Sequence, residues 1–473
     1  MVVHQGKAGD AHGVDIDSLA RQLREELAVA GSSSTASQPT GGCPIIIAEV
    51  GSLTRNVDAA EYDPHHVSIG PYHRIRNPDL AKDDEKIRCL DAVLSAASGA
   101  ATALEDYLDE IARLEGRARS CYAHSFSMDS NEFVRMLLLD GCYLLVRFGD
   151  VDAGRRTDSK GAPAAKGATM SAAGGGDMLK AVAVVRDVFY LAENQIPFFV
   201  LDKIHQLTLS ESTVSAADAM AGYARKLLWT QQYSAATPAV AEMGEPGNLL
   251  HLLHMHLKPT IHSSRTSDKV TVRRRVGRWQ TATEYHLAGV RFKSRSIGSG
   301  GVRSILDVKL DGGGGGGTLE VPKLNIDAET WRLLRNLMAL EQRNPEVAGS
   351  HVTAYCVFVS QLACTAGDVE LLSRRGVVSH GLGNHGEVAA LFSDLCKGVV
   401  FSANDPDLNY LKAICQALED GSRCRPRQWM AWLRRAHFRN PWVAVGLAAA
   451  MGLVCAMVQA VYSVLSYRQR AGW

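Results

Sequence analysis

From Pro441 to Leu465 the chain carries 25 consecutive residues without a charged side chain, PWVAVGLAAAMGLVCAMVQAVYSVL. About 20 apolar residues suffice for a helix to cross the hydrocarbon core of a bilayer. A buried helix in a soluble core rarely needs so long an uncharged run, so the expectation is one C-terminal transmembrane helix over 441–465 carrying a body upstream of it. Trp442 and Tyr462 stand where interfacial aromatics belong, and Gly446, Ala448, Ala449, Ala450 and Gly452 are small enough to let another helix approach. Arg423, Arg425, Arg427, Arg434, Arg435 and Arg439 precede the span, whereas only Arg468 and Arg470 follow it. That bias predicts a single-pass protein whose body stays in the cytosol; the plasma membrane is the expected site. With so few residues after the span, insertion after translation as a tail anchor is expected. The N-terminal stretch has no apolar run long enough for a signal-peptide core.

The other composition arguments mostly exclude. A hydrophobic content of 46% is enough for a real core, and 51 Lys plus Arg against 50 Asp plus Glu gives no global field to attract nucleic acid. The ten cysteines include no C-x-x-C pair, which speaks against a zinc knuckle or a disulfide framework and predicts reduced thiols.

Along the chain, residues 1–42 end in a Ser/Thr/Gly-rich run and read as a disordered arm, with a short amphipathic helix from Ile16 to Ala28. Residues 43–430 read as one mostly helical domain interrupted by surface loops at 150–177, 262–280 and 294–317. Helical periodicity covers 83–114, 131–148, a run from Met178, 213–230, 246–257, 351–366, 367–375, 386–397 and 406–419. Strand alternation appears at 289–293, at 304–310 with Leu306, Val308 and Leu310 on one face, and at 318–321 after a hexaglycine. Asp327 is the expected N-cap of a helix with Trp331, Leu334, Leu337 and Met338 on its core stripe. The fold class is therefore mainly α (α+β): a large helical body with a small antiparallel β-sheet and one membrane helix.

No catalytic, cofactor-binding or metal motif survives inspection. GLGNHG at 381–386 has the spelling of a dinucleotide loop but no β-α-β context, and reads as a turn between helices. His251, His254 and His256 lie close on one helix without the glutamate or further ligand of a zinc site. Arg273, Arg274, Arg275 and Arg278 form a basic loop that is either solvated or drawn to anionic lipid. Two carboxylates stand inside apolar runs, Asp140 in MLLLDGCYLL and Glu193 in LAENQIPFF. A buried carboxylate must be paired, hydrogen-bonded or neutralised, and a general acid looks the same from sequence. A structural reading is more specific. Pro197 lacks an N–H and pushes Ile196 out of the α region, so a helix ending near Ala192 leaves polar groups for Glu193, Asn194 and Gln195 to satisfy while Phe198, Phe199 and Leu201 bury the next segment.

The order of HVSIGPYHR (66–74), LLLDGCYLL (137–145), DVFYLAENQIPFFVLDKI (187–204), TATEYHLAGVRFKSR (281–295), LRNLMALEQ (334–342) and YCVFVSQLACTAGDVELLSRRGVV (355–378) before NPWVAV and the span resembles the plant family called domain of unknown function 247. The resemblance extends over about residues 45–465. It marks Gly70, Pro71, Tyr72, Asp140, Gly141, Glu193, Asn194, Gln195 and Pro197 as motif positions. It implies plant membrane proteins without an established enzymatic activity, some grass members being pollen-side determinants of self-incompatibility. The expectation is then a non-enzymatic protein without cofactor that recognises a protein partner and touches lipid through its last helix. The alternatives are a cytosol-facing scaffold in stress or growth signalling and a hydrolase using Asp140 and Glu193.

Overall fold

The computed structural model describes residues 45–97, 103–149, 151, 175–209, 214–235, 244–260, 279–312, 317–422 and 441–470. The N-terminal arm, the Ile16–Ala28 helix, the four loop arginines and most of the loops at 150–177 and 262–280 lie outside these residues.

Helices dominate. Apart from single turns at Ser52–Arg55 and Pro345–Ala348, they begin in chain order with α1 (Pro71–Arg76), α2 (Asp83–Ala96), α3 (Leu104–Ser120) and α4 (Ser130–Phe148). The single periodic run read over 83–114 is thus two helices. The middle of the body is α4, buried on nearly every side from Phe133 to Leu145. Its entry is fixed by Asp129, whose side chain accepts from Glu132 N and satisfies one of the free first-turn donors. Helices α2, α3 and α6 (Phe198–Thr208) pack on it. Gly141 makes the approach of α6 possible: a Cβ there would stand 2.3 Å from Ile204 Cδ1. Between them in sequence lies α5 (Gly175–Phe189), and α7 (Ala216–Thr230) and α8 (Leu249–Leu257) complete the first half.

The second half opens with α9 (Ala282–Leu287) and strands β1 (Arg291–Arg295), β2 (Lys309–Asp311), β3 (Thr318–Pro322) and β4 (Leu324–Ile326). There follow α10 (Thr330–Arg343), α11 (His351–Leu362), α12 (Ala366–Arg374), β5 (Val378–His380), α13 (His385–Leu395), α14 (Lys412–Ser422) and α15 (Pro441–Arg470). The expected stripe of Trp331, Leu334, Leu337 and Met338 on α10 is buried, together with Asn336 and Glu341 of the same helix. Asp327 sits outside the helix and holds its first turn by accepting from Glu329 N and Thr330 Oγ1.

The strands form two small sheets, one of three strands in the order β1-β3-β2 and one of β4 with β5, and the pairing is mixed in direction. Only β2 pairs antiparallel with β3; β1 pairs parallel with β3, and β4 pairs parallel with β5. At 304–308, where strand alternation is expected, the chain turns instead. Asp307 is buried and accepts from Thr260 N, Thr260 Oγ1, Arg303 N and Ser304 N, which curls the chain into a turn and delays β2 to Lys309. Leu306 and Val308 are both buried all the same.

The thiols need a correction. Cys121 is disulfide-bonded, whereas Cys89, Cys142, Cys356, Cys364, Cys396, Cys415 and Cys455 are free. Spacing carries no sign of it, because a bridge need not follow a C-x-x-C pattern. Helix α15 contains a 19-residue segment, Ala448–Ser466, apolar enough to cross a membrane and not covered by the rest of the chain. Tyr462 on it is exposed, and Trp442 lies in its first turn.

Candidate functional site

The ENQIP stretch is the place to build from, because four chain segments meet there through its side chains. Helix α5 ends at Phe189, and Pro197 then caps α6 with φ −60°. Between the two helices the backbone must turn inside the core, where an unpaired polar group costs on the order of 1–3 kcal/mol. Gln195 closes both ends of the gap. Its Nε2 donates to Val188 O and Leu191 O at 2.8 and 2.9 Å, and its Oε1 accepts from Leu249 N and Leu250 N, first-turn donors of α8. Asn194 donates through Nδ2 to Asp187 O and Val67 O and accepts at Oδ1 from Ile69 N, 2.7 Å.

Glu193 points to the N-terminal segment. Its Oε1 accepts from Val50 N at 2.5 Å and from Arg55 Nη1 at 2.9 Å, while Oε2 faces Arg76. Arg55 also holds Asp63, and Arg76 holds Glu49, so two guanidinium groups are shared by three carboxylates. His73 Nε2 lies 3.5 Å from Glu193 Oε2 without making a hydrogen bond. Burial, and then the charges of Arg76 and Arg55, pushes His73 down to about 3, so at neutral pH the contact is not an ion pair.

The second carboxylate closes an adjoining knot. Asp140 and Lys86 are both fully buried, Nζ standing 2.5 Å from Oδ1. Lys86 donates also to Ser68 O, and Asp140 Oδ2 accepts from Gly70 N at 2.7 Å. Gly70 has φ +76° and ψ −177°, a region essentially confined to glycine, and a Cβ there would stand 2.4 Å from Gln195 O. Pro71 opens α1 at the position where a missing N–H is harmless, and Tyr72 Oη donates to Ile47 O. The motif positions from Gly70 to Pro197 are therefore parts of one connected polar structure, with Gly141 supplying the helix contact described above.

Sequence reasoning missed several members. Asp187 accepts from three successive backbone N–H groups, those of His65, His66 and Val67. Asn336 accepts from Ala192 N, and Asn344 clamps both the N–H and the carbonyl of Ile46. Glu341 caps α11 from another helix, accepting from Val352 N and Thr353 N, and bonds His254 Nε2 at 2.8 Å. A signal for these was present. Lys86 shares the stripe of Cys89 and Val93 on α2, and Asn336 and Glu341 stand among the leucines of α10; polar residues on a core stripe announce a buried partner.

The rejected motifs have plain places. GLGNHG follows the short strand β5, not a helix, and Asn384 caps α13 by accepting from Glu387 N. His251 and His256 are buried and pushed down to about 3 and about 4 by that burial. Among the described residues no three His, Cys, Asp or Glu side chains are arranged to hold a metal ion. Neither Asp140 nor Glu193 lines the cleft of about 750 Å³ beside Arg74, Arg88 and Arg135, or the pocket of about 280 Å³ around Phe199 and Asp202.

A model of the family described as plant protein of unknown function, domain of unknown function 247, matches residues 47–456. The chain belongs to this family. Two Arabidopsis thaliana proteins are similar to it over most of their length. UPF0481 protein At3g47200 is 23% identical over 435 residues, covering 86% of this chain and 83% of the relative. Putative UPF0481 protein At3g02645 is 20% identical over 496 residues, covering 85% and 87%. No solved structure matches the chain. In this member of the 247 family the ENQIP and SIGPY motifs are the two halves of a single buried joint.

Proposed function

We propose that this family member is a membrane-anchored, non-enzymatic recognition protein, its helical body held at a bilayer by α15 and offering its surface to a protein partner. One observation carries the reading: Asp140, Asp187, Glu193 and Glu341 are at most 1% exposed or fully buried, and each spends its oxygens on backbone N–H groups or fixed cations. A general acid or base needs its proton or lone pair within reach of a substrate. The loops at 150–177, 262–280 and 294–317 are the expected specificity elements, and pollen-side recognition, as in some grass relatives, is the finer form of this role. Exchanging all three loops with those of a relative, without change in partner binding, would sink it. A Glu193→Gln protein tests the hydrolase alternative: loss of a turnover with an unchanged unfolding curve favours the enzyme, and a lowered midpoint favours the joint.

The arginines upstream of α15 support a body in the cytosol, where a scaffold in stress or growth signalling would also work. A specific observation favours the opposite face: disulfides such as that of Cys121 persist in oxidising compartments. Protease protection of an N-terminally tagged chain in sealed plant vesicles decides between them. Digestion from the cytosolic side keeps the first orientation, and protection until detergent is added selects the second.

A further inference from the structure

The apolar span contains one side-chain amide, Gln459, two residues from the midpoint of Ala448–Ser466. At 1.5 Å per residue this is about 3 Å along the axis. Within the described residues its amide has no hydrogen-bond partner, and the rest of the chain does not cover this helix. Ser466 differs: its hydroxyl donates to Ser463 O in the same helix. An unsatisfied amide in hydrocarbon is costly, and no water is available there to relieve it.

The positions around Gln459 are patterned. Ala449, Gly452, Ala456, Gln459, Ser463 and Ser466 follow one another at spacings of three and four, the repeat of a left-handed helix pair. Every member is small or polar. On the far side, Met451, Val454, Val458, Val461 and Leu465 repeat with the same spacing, and all are bulky, apolar and exposed. One face therefore suits lipid tails, whereas the other permits close backbone approach and presents the amide at its middle.

Resting on the reading of α15 as a membrane span, we propose that this face is the interface between two copies of this chain, with Gln459 hydrogen-bonded to Gln459 of the second copy. A carboxamide carries donors and an acceptor, so it is complementary to itself. Two parallel copies bring equal heights of the bilayer together, which pairs Gln459 with Gln459 and Gly452 with Gly452. A heterologous partner would need its own polar group at that depth, whereas a second copy supplies one by construction.

The test is energy transfer between donor- and acceptor-labelled full-length chains, co-reconstituted in phosphatidylcholine vesicles over a range of protein-to-lipid ratios. The wild type is expected to show transfer that follows a dimer isotherm. Gln459→Leu, which makes the span more apolar, is expected to weaken association about three- to twentyfold, the range of single interhelical hydrogen bonds in membranes. Gly452→Ile is expected to weaken it too, while Val458→Leu on the lipid face leaves it unchanged. Alkaline carbonate extraction of the same vesicles separates the two premises: release of the wild type refutes the span itself. Retention with no transfer above random proximity, or with transfer indifferent to Gln459→Leu and Gly452→Ile, overturns the self-pairing.

Discussion

Replacing Lys86 by Met preserves most of the aliphatic stem and deletes only the charge and two hydrogen bonds, those to Asp140 Oδ1 and Ser68 O. Both members of the ion pair have zero exposure, so the Asp140 carboxylate left behind cannot recruit solvent and keeps only the Gly70 N–H at 2.7 Å. Breaking a buried pair on one side costs about 3–5 kcal/mol. Asp140→Asn strands the Lys86 ammonium instead and is expected to cost a comparable amount. The double variant Lys86→Met/Asp140→Asn buries no charge and regains at least half of the loss of Lys86→Met. Urea denaturation of the full chain in detergent, followed by tryptophan fluorescence, reads all three. A Lys86→Met deficit below about 1 kcal/mol at neutral pH, or a double variant no more stable than Lys86→Met, would refute the reasoning.

Gly70→Ala forces a side chain into a glycine-only conformation and against Gln195 O, and is expected to cost about 3 kcal/mol or more by the same denaturation measurement. Glu193→Gln keeps the shape but not the charge held by Arg55 and Arg76, and a loss of about 1–3 kcal/mol is expected, visible as a lower urea midpoint. His73, His251 and His256 titrate at about 3, about 3 and about 4 against an ordinary value of 6.5. Their folded-state pKa values are depressed, so stability is whole above pH 6.5 and falls as pH drops towards 4, by about 2 kcal/mol per histidine at pH 5. A flat stability profile between pH 7 and pH 5 would contradict this. Reduction of the Cys121 disulfide is expected to cost about 2–5 kcal/mol, and Cys121→Ser should abolish the dependence of the unfolding midpoint on reductant.

What the sequence disclosed was local. Helix stripes, Pro197 as a stop and the buried placement of Asp140 and Glu193 could be read because each depends on spacing within one segment. The partners could not. Lys86 and Asp140 are 54 positions apart and Glu193 and Val50 are 143, and no periodicity encodes such a pairing. The same limit explains the sheet. Strand character at 318–321 is a local property, whereas the parallel pairing of Phe292 with Leu319 joins separate segments and leaves no mark within either one. Helix ends moved for a related reason: α14 starts at Lys412 because Asn409 binds Ala403 O and Leu411 N and keeps the preceding turn out of the helix.

The clamp of Asn344 on Ile46 joins residues 298 positions apart. At a synthesis rate of about 5–20 residues per second, Ile46 emerges from the ribosome about 15–60 s before its partner exists. During that interval the segment from Ile45 to Val50, apolar save for Glu49, has only part of its native contacts: Ile47 can meet Tyr72 and the 121–123 stretch, whereas its docking on Glu193 and Asn344 must wait. Chaperone protection of the nascent amino-terminal part is therefore expected to raise the soluble yield of a chain whose first core segment waits so long for its last partner.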